Sequence, residues 1–155
     1  MNDFTVELAT PDMADEIASI LELAKDDGYI FELEPDCVHE FITRILNQEN
    51  GIIGVILGDN QIEGIIGLNL ERFWFSKQWF LTDAFTFVHP KFRKSTRAKC
   101  LLSFAKKCAE DMKVPLVMGV TSNIRTEAKL RLYERQLSRA GTFFVHNSES
   151  ARVGV

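Results

Sequence analysis

The chain has 155 residues, of which 46% are hydrophobic and 26% are charged, and this composition argues against wholesale disorder. A chain of this length most simply forms one domain, so residues 1–155 are interpreted as a single unit. No apolar run approaches the roughly 20 residues needed to span a bilayer, and the acidic N-terminus lacks the basic and apolar regions of a signal peptide.

The cysteines and histidines predict neither a disulfide framework nor a metal site. The three cysteines are an odd number without metal-ligand spacing, and the three histidines are scattered away from any paired carboxylate. Cysteines of this kind are typical of reduced thiols in a reducing compartment. The sequence therefore predicts a cytoplasmic protein without a metal.

The net charge of −4 conceals a strong asymmetry along the chain. Residues 1–50 carry 13 acids and two bases, whereas residues 51–155 carry nine acids and 16 bases. Such separation indicates two surfaces with different partners. Ordinary solvated helix faces are the alternative.

The first quarter of the chain shows one strand pattern and two helix patterns. Phe4–Leu8 alternates apolar and polar residues, which predicts a strand. Thr10 precedes a proline and an acid, a suitable helix start, and this helix ends by Gly28. A second helix is predicted from Pro35, with an apolar stripe that continues to Leu46.

A β-hairpin and a further strand follow. Ile52–Leu57 and Ile62–Leu70 are strand-like and are separated by a Gly-Asp-Asn turn, which predicts an antiparallel pair. Glu71–Trp79 is a connection rich in aromatic residues, and Phe80–Val88 is the next predicted strand.

The second half alternates helices and strands. After a basic loop, a long amphipathic helix is predicted over Thr96–Met112, and Pro115–Thr121 is a short apolar strand of the parallel kind. Ser122 or Asn123 caps a fourth helix that ends near residue 137, and Thr142–His146 is the last predicted strand.

The predicted order is β-α-α-β-β-β-α-β-α-β. The hairpin requires antiparallel pairs, whereas the strand, crossover helix and strand over residues 80–121 require a parallel pair with a right-handed crossover. The predicted fold is therefore α/β, with a mixed, largely antiparallel sheet, a parallel pair of fourth and fifth strands, and helices on both faces.

The basic loop before the third helix is the first candidate site. A helix N-terminus presents backbone N–H groups and a positive dipole end, which suit a phosphate. Cations there repel one another unless an anion is present. The loop therefore predicts a diphosphate-binding turn, with ordinary helix caps as the alternative; its candidate donors are Arg93, Lys94, Ser95, Thr96 and Arg97.

The element order and this loop resemble the GNAT acyltransferase family, which uses acetyl-coenzyme A, over about residues 4–146. That family's cofactor signature is Arg or Gln, two variable residues, Gly, one residue, then Gly or Ala. Here Arg93 and Ala98 match, but Thr96 stands where Gly is usual. The segment VHPKFR leading into LLSFA is also similar to the family, and so is Asn123 followed by Leu-Tyr-Glu-Arg at residues 132–135.

The resemblance implies acetyl-CoA as co-substrate. It implies that the diphosphate is held by the loop from Arg93 to Ala98, that the pantetheine arm runs beside Phe87 and Val88, and that Asn123 contacts this arm. An ordinary helix cap explains Asn123 equally well. A threonine fits the glycine position only if its φ stays negative and its hydroxyl becomes a donor.

Acetyl transfer to an amine also requires proton movements: the ammonium loses a proton and the departing thiolate gains one. The resemblance implies Tyr133 as the acid; a core tyrosine is the alternative. Asp83 is the candidate base, since partial burial would raise its pKa, and strand alternation places it in phase with Phe85 and Phe87. A structural role for Asp83, Glu71 as the base, and a water chain remain alternatives.

The acceptor is predicted to be a cationic amine, on a small molecule or a protein. An anionic rim would attract such an acceptor, and in the GNAT fold the first two helices usually flank the acceptor side. The acidic residues of this segment are Asp26, Asp27, Glu32, Glu34, Asp36 and Glu40.

Two other function classes remain open. One is a GNAT-fold module that binds or interacts without catalysis, which the missing glycine favours. The other is a nucleic-acid-modifying member, which rests on the basic second half; Lys99, Lys106 and Lys107 are interpreted as a solvated helix face in preference to a nucleic-acid surface. The short C-terminal tail predicts an incomplete sheet edge, which a homodimer would cover.

Overall fold

The computed structural model describes residues 3–29, 31–47, 49–121 and 124–146. Its strands and α-helices in these ranges are β1 (Glu7–Leu8), α1 (Ala14–Glu22), α2 (Pro35–Leu46), β2 (Gly51–Leu57), β3 (Ile62–Arg72), β4 (Trp79–Val88), α3 (Arg97–Met112), β5 (Leu116–Val117) and α4 (Thr126–Glu134). Short 3-10 turns occupy Pro11–Met13, Leu23–Asp27 and Pro90–Phe92.

The strands form one mixed sheet in the order β1-β2-β3-β4-β5. Strands β1 to β4 pair antiparallel with their neighbours along the chain, and β5 pairs parallel with β4 after the crossover through α3. The predicted α/β fold with a largely antiparallel sheet and one parallel pair is confirmed.

Helices cover both faces of this sheet, as predicted. On one face α1 and α2 pack on alternate residues of β2 and β3; the fully buried members include Ile17, Ile42, Ile53, Val55 and Ile65. On the other face α3 packs against the intervening residues, with Ile56, Ile66, Leu68, Leu101 and Ala105 buried. Each fully buried branched side chain stabilises the fold by about 1.5–3 kcal/mol, so the two clusters fix how the helices lie on the sheet.

Helix α2 matches its predicted range because a proline at its first position and a regular apolar stripe define it. The first helical segment also spans the predicted residues, but its ends are 3-10 turns. The Thr10 hydroxyl donates to the Asp12 carboxylate before the first turn. Gly28 closes the segment with a φ of 73°, in the left-handed region that glycine tolerates.

Strand β5 and helix α4 are shorter than predicted. The Gly119 N–H donates to the Asp83 carboxylate at 3.1 Å, so this amide does not extend the ladder with β4 and the predicted strand over 115–121 is reduced to two residues. Helix α4 begins at Thr126, after Arg125 with a left-handed φ of 60°. The predicted caps Ser122 and Asn123 lie outside the described residues.

The predicted last strand, Thr142–His146, is wrong. These residues adopt no regular structure, and Phe143 and Phe144 are 93% and 94% exposed. A strand needs a partner edge, and β5 offers an edge of only two residues. Within the described ranges the sheet therefore has five strands.

Candidate active site

The candidate site lies along the exposed edge of β4. Strand β5 pairs with β4 only at Leu81 and Thr82, so the ladder stops before residues 83–88 of β4. Two adjoining cavities lie between this edge and α4. Both are lined by Thr86, Lys129 and Tyr133, which therefore mark the place where the cavities meet.

The first cavity, here called the loop cavity, has a volume of about 160 Å³. It lies between the end of β4, the loop before α3 and the start of α4. Besides the shared residues, its lining comprises Asp27, Phe87, Val88, Arg93, Lys94, Ser95, Ala98, Arg125, Ala128 and Leu132. Most residues that the sequence predicted to bind the donor are thus brought together, but Thr96 and Arg97 do not line this cavity.

The second cavity, here called the strand cavity, has a volume of about 300 Å³. It extends from Thr86 along β4 toward the segment after β5. Both candidate catalytic residues, Asp83 and Tyr133, line it, and so does Glu71, the alternative base. The structure therefore places an acid and a base candidate in one cavity.

Arg93 lines the loop cavity but already has a protein partner. Its Nη2 donates to Asp27 Oδ2 at 3.1 Å and its Nε donates to the Val88 carbonyl at 2.9 Å. Its guanidinium lies 5.0 Å from the centre of the Phe87 ring. Asp27, predicted as part of the acceptor rim, is instead 7% exposed and neutralises Arg93.

Arg97 lies away from both cavities. Its Nε and Nη2 donate to Glu63 Oε2 at 2.8 and 2.6 Å, and its guanidinium lies over the Phe4 ring at 3.8 Å and the Phe92 ring at 4.9 Å. Arg93 and Arg97 therefore do not need an external anion, contrary to the prediction, because Asp27 and Glu63 supply the negative charge. The assignment of Arg97 to the donor stays a prediction that the geometry does not support.

The loop backbone answers the question that Thr96 raised. Thr96 has a φ of −82°, which any residue adopts, whereas Lys94 takes the left-handed φ of 63°. The Ser95 hydroxyl donates to the Phe92 carbonyl at 2.7 Å and accepts from the Arg97 N–H at 3.3 Å. Thr96 therefore meets the condition that its φ stays negative, and the unusual backbone conformation falls two residues earlier, at Lys94.

Helix α4 contributes cations that the sequence reasoning missed. Arg125 and Lys129 line the loop cavity together with Arg93 and Lys94, and Asp27 is its one lining carboxylate. Lys129 and Tyr133 are four residues apart and follow one face of α4, and Arg125 immediately precedes the helix. That spacing, together with the role predicted for Tyr133, was the signal that would have found them.

A β-bulge in β4 sets the direction of Asp83. Gly67 pairs with Phe85 but Leu68 pairs with Asp83, so Ala84 has no partner in β3. Paired residues share a face, and a bulge shifts the phase of the strand. Asp83 therefore faces the α3 side with Thr86, and the predicted alternation with Phe85 is wrong.

The bulge brings three polar side chains together. The Thr86 hydroxyl donates to Asp83 Oδ2 at 3.3 Å, and the Gly119 N–H donates to Asp83 Oδ1 at 3.1 Å. Tyr133 lies close enough to Asp83 and Thr86 for both to affect the pKa of its phenol. Thr86, which the sequence reasoning did not single out, therefore lies beside both the candidate base and the candidate acid.

The protonation of these groups is set chiefly by burial. Burial raises the pKa of Asp83 to about 6, against the smaller lowering effect of the hydrogen bonds from Gly119 and Thr86. Burial, and then the nearby Asp83 carboxylate, raise the pKa of Tyr133 above that of an ordinary tyrosine. Burial also raises the pKa of Tyr29, another phenol in the strand cavity that sequence reasoning missed.

Three of the predicted donor-binding residues, Phe87, Val88 and Asn123, belong to segments other than the loop before α3. Phe87 is buried and Val88 half-buried, both at the loop cavity, and Asn123 lies outside the described residues. No group of three metal-ligating side chains occurs in the ranges that the structure describes. Among the described helices, none has the length and apolar character to cross a membrane.

Several solved structures of similar fold are named acetyltransferases. A predicted acetyltransferase from Clostridium acetobutylicum, solved with acetyl-CoA, has a TM-score of 0.76 and 11% identity over 95% of this chain and 97% of that chain. A ribosomal-protein-alanine N-acetyltransferase from Brucella melitensis biovar Abortus has a TM-score of 0.69 and 16% identity over 92% of this chain and 99% of that chain. A GNAT family acetyltransferase from Staphylococcus aureus has a TM-score of 0.63 and 15% identity over 94% of this chain and 99% of that chain.

No family model matches the chain, and no curated protein matches it. The structural likenesses nevertheless cover nearly the whole of each chain. They show the fold alone, which is that of the GNAT acetyltransferases, and confirm the fold that the resemblance implied.

Proposed function

We propose that residues 1–155 form one N-acetyltransferase domain that moves an acetyl group from acetyl-CoA to a primary amine by direct attack in a ternary complex. The observation that carries the proposal is the junction of the two cavities at Tyr133. At Tyr133 the loop cavity adjoins the strand cavity. The loop cavity is lined by cations, which suit a phosphorylated donor, and the strand cavity holds a carboxylate and a phenol.

The loop cavity fits the donor in charge and in position. Four cationic side chains face it against one carboxylate, and the N-terminus of α3 lies beside it. Phosphates favour such a site because helix N–H groups and cations both stabilise them. The adjacent residues 83–88 of β4 offer a strand edge beyond the end of the β5 ladder, where amides of a pantetheine arm would pair as a strand does.

The strand cavity supplies the proton chemistry. Acetyl-CoA would provide the thioester carbonyl carbon to which the amine nitrogen bonds as the bond from that carbon to sulfur breaks. Asp83 accepts the proton that the amine loses and releases it to solvent. Tyr133 donates a hydrogen bond to the departing thiolate, which becomes a thiol by taking up a proton from solvent. The hydrogen bond from the Thr86 hydroxyl helps to hold Asp83 in place.

Thermal unfolding with acetyl-CoA tests the donor assignment. A ligand that binds only the native state at about 100 times its Kd stabilises by about 2.7 kcal/mol. For a chain of this size that raises the Tm by roughly 5–10 °C. We expect this shift with acetyl-CoA, and we expect Lys94→Ala combined with Arg125→Ala to reduce it and to raise the KM for acetyl-CoA about tenfold or more.

The matched control is Lys99→Ala. Lys99 is an exposed lysine at the start of α3 that lines neither cavity, so its removal should leave the shift unchanged. If Lys99→Ala reduced the Tm shift as much as the double variant of Lys94 and Arg125 does, a specific donor site in the loop cavity would be contradicted. A thermal shift without thiol release from any amine would instead support the non-catalytic binding module.

The pH profile tests Asp83 as the base. Because its pKa is raised to about 6, Asp83 is protonated below that pH and cannot accept a proton there. We expect kcat/KM for the amine to rise as the pH rises through about 6, and we expect this inflection to be absent in Asp83→Asn. The measurement is the initial rate of thiol release between pH 5 and about 8.

Glu71→Gln is the control for the pH profile. Glu71 is a carboxylate of the same cavity but is exposed, and it was the alternative base. The inflection should persist in this variant. Its loss in Glu71→Gln and its retention in Asp83→Asn would transfer the role of base to Glu71.

The acceptor is a small-molecule or protein amine in this proposal, in preference to nucleic acid. Lys107 pairs with Asp111 at 3.2 Å, and Lys106 donates to Gln136 at 3.5 Å, which fits a solvated helix face. The neighbour from Brucella is by name a ribosomal-protein-alanine N-acetyltransferase, which supports an amine acceptor.

Two further assignments stay predictions. The cytoplasmic location is supported by three free cysteines, Cys37, Cys100 and Cys108. A homodimer is supported by the short β5 edge and by the exposed Phe143 and Phe144, and light scattering would measure it.

A further inference from the structure

The strand cavity differs in character from the acidic surface that was predicted to attract the acceptor. None of the six acidic residues between positions 26 and 40 lines it. Asp27 faces the loop cavity, where it is paired with Arg93. The carboxylates of the strand cavity are Asp83 in its wall and the exposed Glu71.

The remaining walls are mainly apolar. Besides the two phenols, they include seven apolar side chains: Phe73, Phe80, Phe85, Val117, Met118, Val120 and Phe143. A cavity with apolar walls and a few placed polar groups is typical of a small-molecule site in which the polar groups orient the ligand.

The aromatic wall is organised as a stack that reaches the surface. The Phe73 ring stacks on Phe80 with centroids 4.7 Å apart and on Phe75 at 5.3 Å. Phe80 is buried, Phe73 is 49% exposed, and Phe143 is 93% exposed. The apolar surface thus continues from inside the cavity to its outside, where an apolar ligand would cover it.

From this arrangement we propose that the acceptor is a small primary monoamine carried on an aromatic or branched apolar group. Its nitrogen lies toward Asp83 and its body lies against the stack of Phe73 and Phe80. This inference rests on the proposed acetyltransferase function and specifies its acceptor.

Polyamines and aminoglycosides fit this cavity less well. Additional ammonium or hydroxyl groups that lie against the phenylalanine rings would lose water without gaining a hydrogen-bond partner there, which is unfavourable. A monoamine places its single cationic end at the carboxylate and buries the rest as apolar surface. The walls therefore select against a second polar end.

A matched pair of amines tests the proposal in the wild-type protein. Pentylamine and cadaverine have the same carbon chain, but cadaverine carries a second amine in place of the terminal methyl. We expect kcat/KM in a thiol-release assay with acetyl-CoA to be about tenfold or more higher for pentylamine. We expect phenethylamine to exceed both. Equal or faster turnover of cadaverine would overturn the proposal.

Two variants locate the effect. Phe73→Ala removes the middle ring of the stack and should lower kcat/KM for phenethylamine about tenfold. Trp74→Ala is the control, because Trp74 is the next residue, is 95% exposed and does not line the cavity. If Phe73→Ala behaves like Trp74→Ala, the aromatic wall does not bind the acceptor.

The donor assay separates this inference from the proposed function. If acetyl-CoA raises the Tm and cadaverine turns over best, only the acceptor proposal fails. If no amine releases thiol, the proposed catalysis fails and the acceptor proposal fails with it. Preserved acetyl-CoA stabilisation in Phe73→Ala would show that a lower rate arises on the acceptor side.

Discussion

Replacing Tyr133 with phenylalanine is expected to lower kcat on the order of 100-fold while leaving the KM for acetyl-CoA nearly unchanged. The raised pKa keeps the phenol protonated at neutral pH. A coenzyme A thiol is comparable to cysteine, with a pKa of about 8.5. Tyr133 therefore acts chiefly as a hydrogen-bond donor to the developing charge. Initial rates of thiol release at saturating acetyl-CoA measure the effect.

Tyr29→Phe is the matched control for Tyr133. Tyr29 is a second phenol of the strand cavity, its pKa is also raised by burial, and it does not line the loop cavity. Its variant should retain most of kcat. Full kcat in Tyr133→Phe would show that the acid assignment is wrong, and a large loss in Tyr29→Phe alone would assign the donor to Tyr29.

Replacing Arg97 with alanine is expected to reduce the free energy of unfolding by about 3–5 kcal/mol. The pair with Glu63 is largely buried, with each side chain 13% exposed, so the variant leaves an unpaired carboxylate in a site with little water. A loss of this size is a large part of the 5–15 kcal/mol that stabilises a typical domain. Urea unfolding followed by circular dichroism measures it.

Replacing both partners separates structure from ligand binding. Arg97→Met with Glu63→Leu removes the pair without leaving a charge, so we expect most of the stability to return. Because Arg97 lines neither cavity, the KM for acetyl-CoA should remain close to wild type in this double variant. A large rise in KM there would restore Arg97 as a donor-binding residue.

Lys107→Ala is the exposed counterpart of the Arg97 variant. Lys107 pairs with Asp111 across one helical turn, but the two side chains are 74% and 65% exposed. Exposed pairs of this kind contribute about 0.3–0.5 kcal/mol. Similar losses in Lys107→Ala and Arg97→Ala would contradict the role assigned to burial at Glu63.

The fold was predictable where local signals agree with tertiary packing. Helix α2 has its predicted range because Pro35 defines its start and its apolar stripe faces the sheet. The hairpin of β2 and β3 follows from alternation and a short turn. The strand predicted at Thr142–His146 fails because an apolar run becomes a strand only beside an available edge.

The site was predictable in its location but not in its partners. Arg93, Lys94, Ser95 and Ala98 of the predicted loop line one cavity with Tyr133, but Thr96 and Arg97 do not. The partners of the cations could not be inferred. Arg93 and Asp27 are 66 residues apart, and Arg97 and Glu63 are 34 apart. Local charge counting detects like charges in one loop, but not carboxylates that the fold brings to them.

The bulge at Ala84 was similarly hidden. A bulge is defined by how the residues of β4 pair with those of β3, and this pairing cannot be read from the sequence of β4 alone. Without that register, alternation placed Asp83 on the wrong face. The correction matters for chemistry, since the shifted phase places Asp83 on the same face as Thr86, whose hydroxyl donates to it.

The shortness of β5 has a consequence for how the molecule opens. Long ladders join β2, β3 and β4, whereas the far wall of the cavities depends on two paired residues and on side-chain links such as Asp83 to Gly119. Free energies of local opening range from near zero to the global value, and sparsely bonded segments open most easily. Amide hydrogens of β5 and α4 should therefore exchange through local opening, while those of β3 should exchange only through global unfolding. A ligand that contacts both walls of the cavities would slow exchange in β5 and α4 and leave exchange in β3 nearly unchanged.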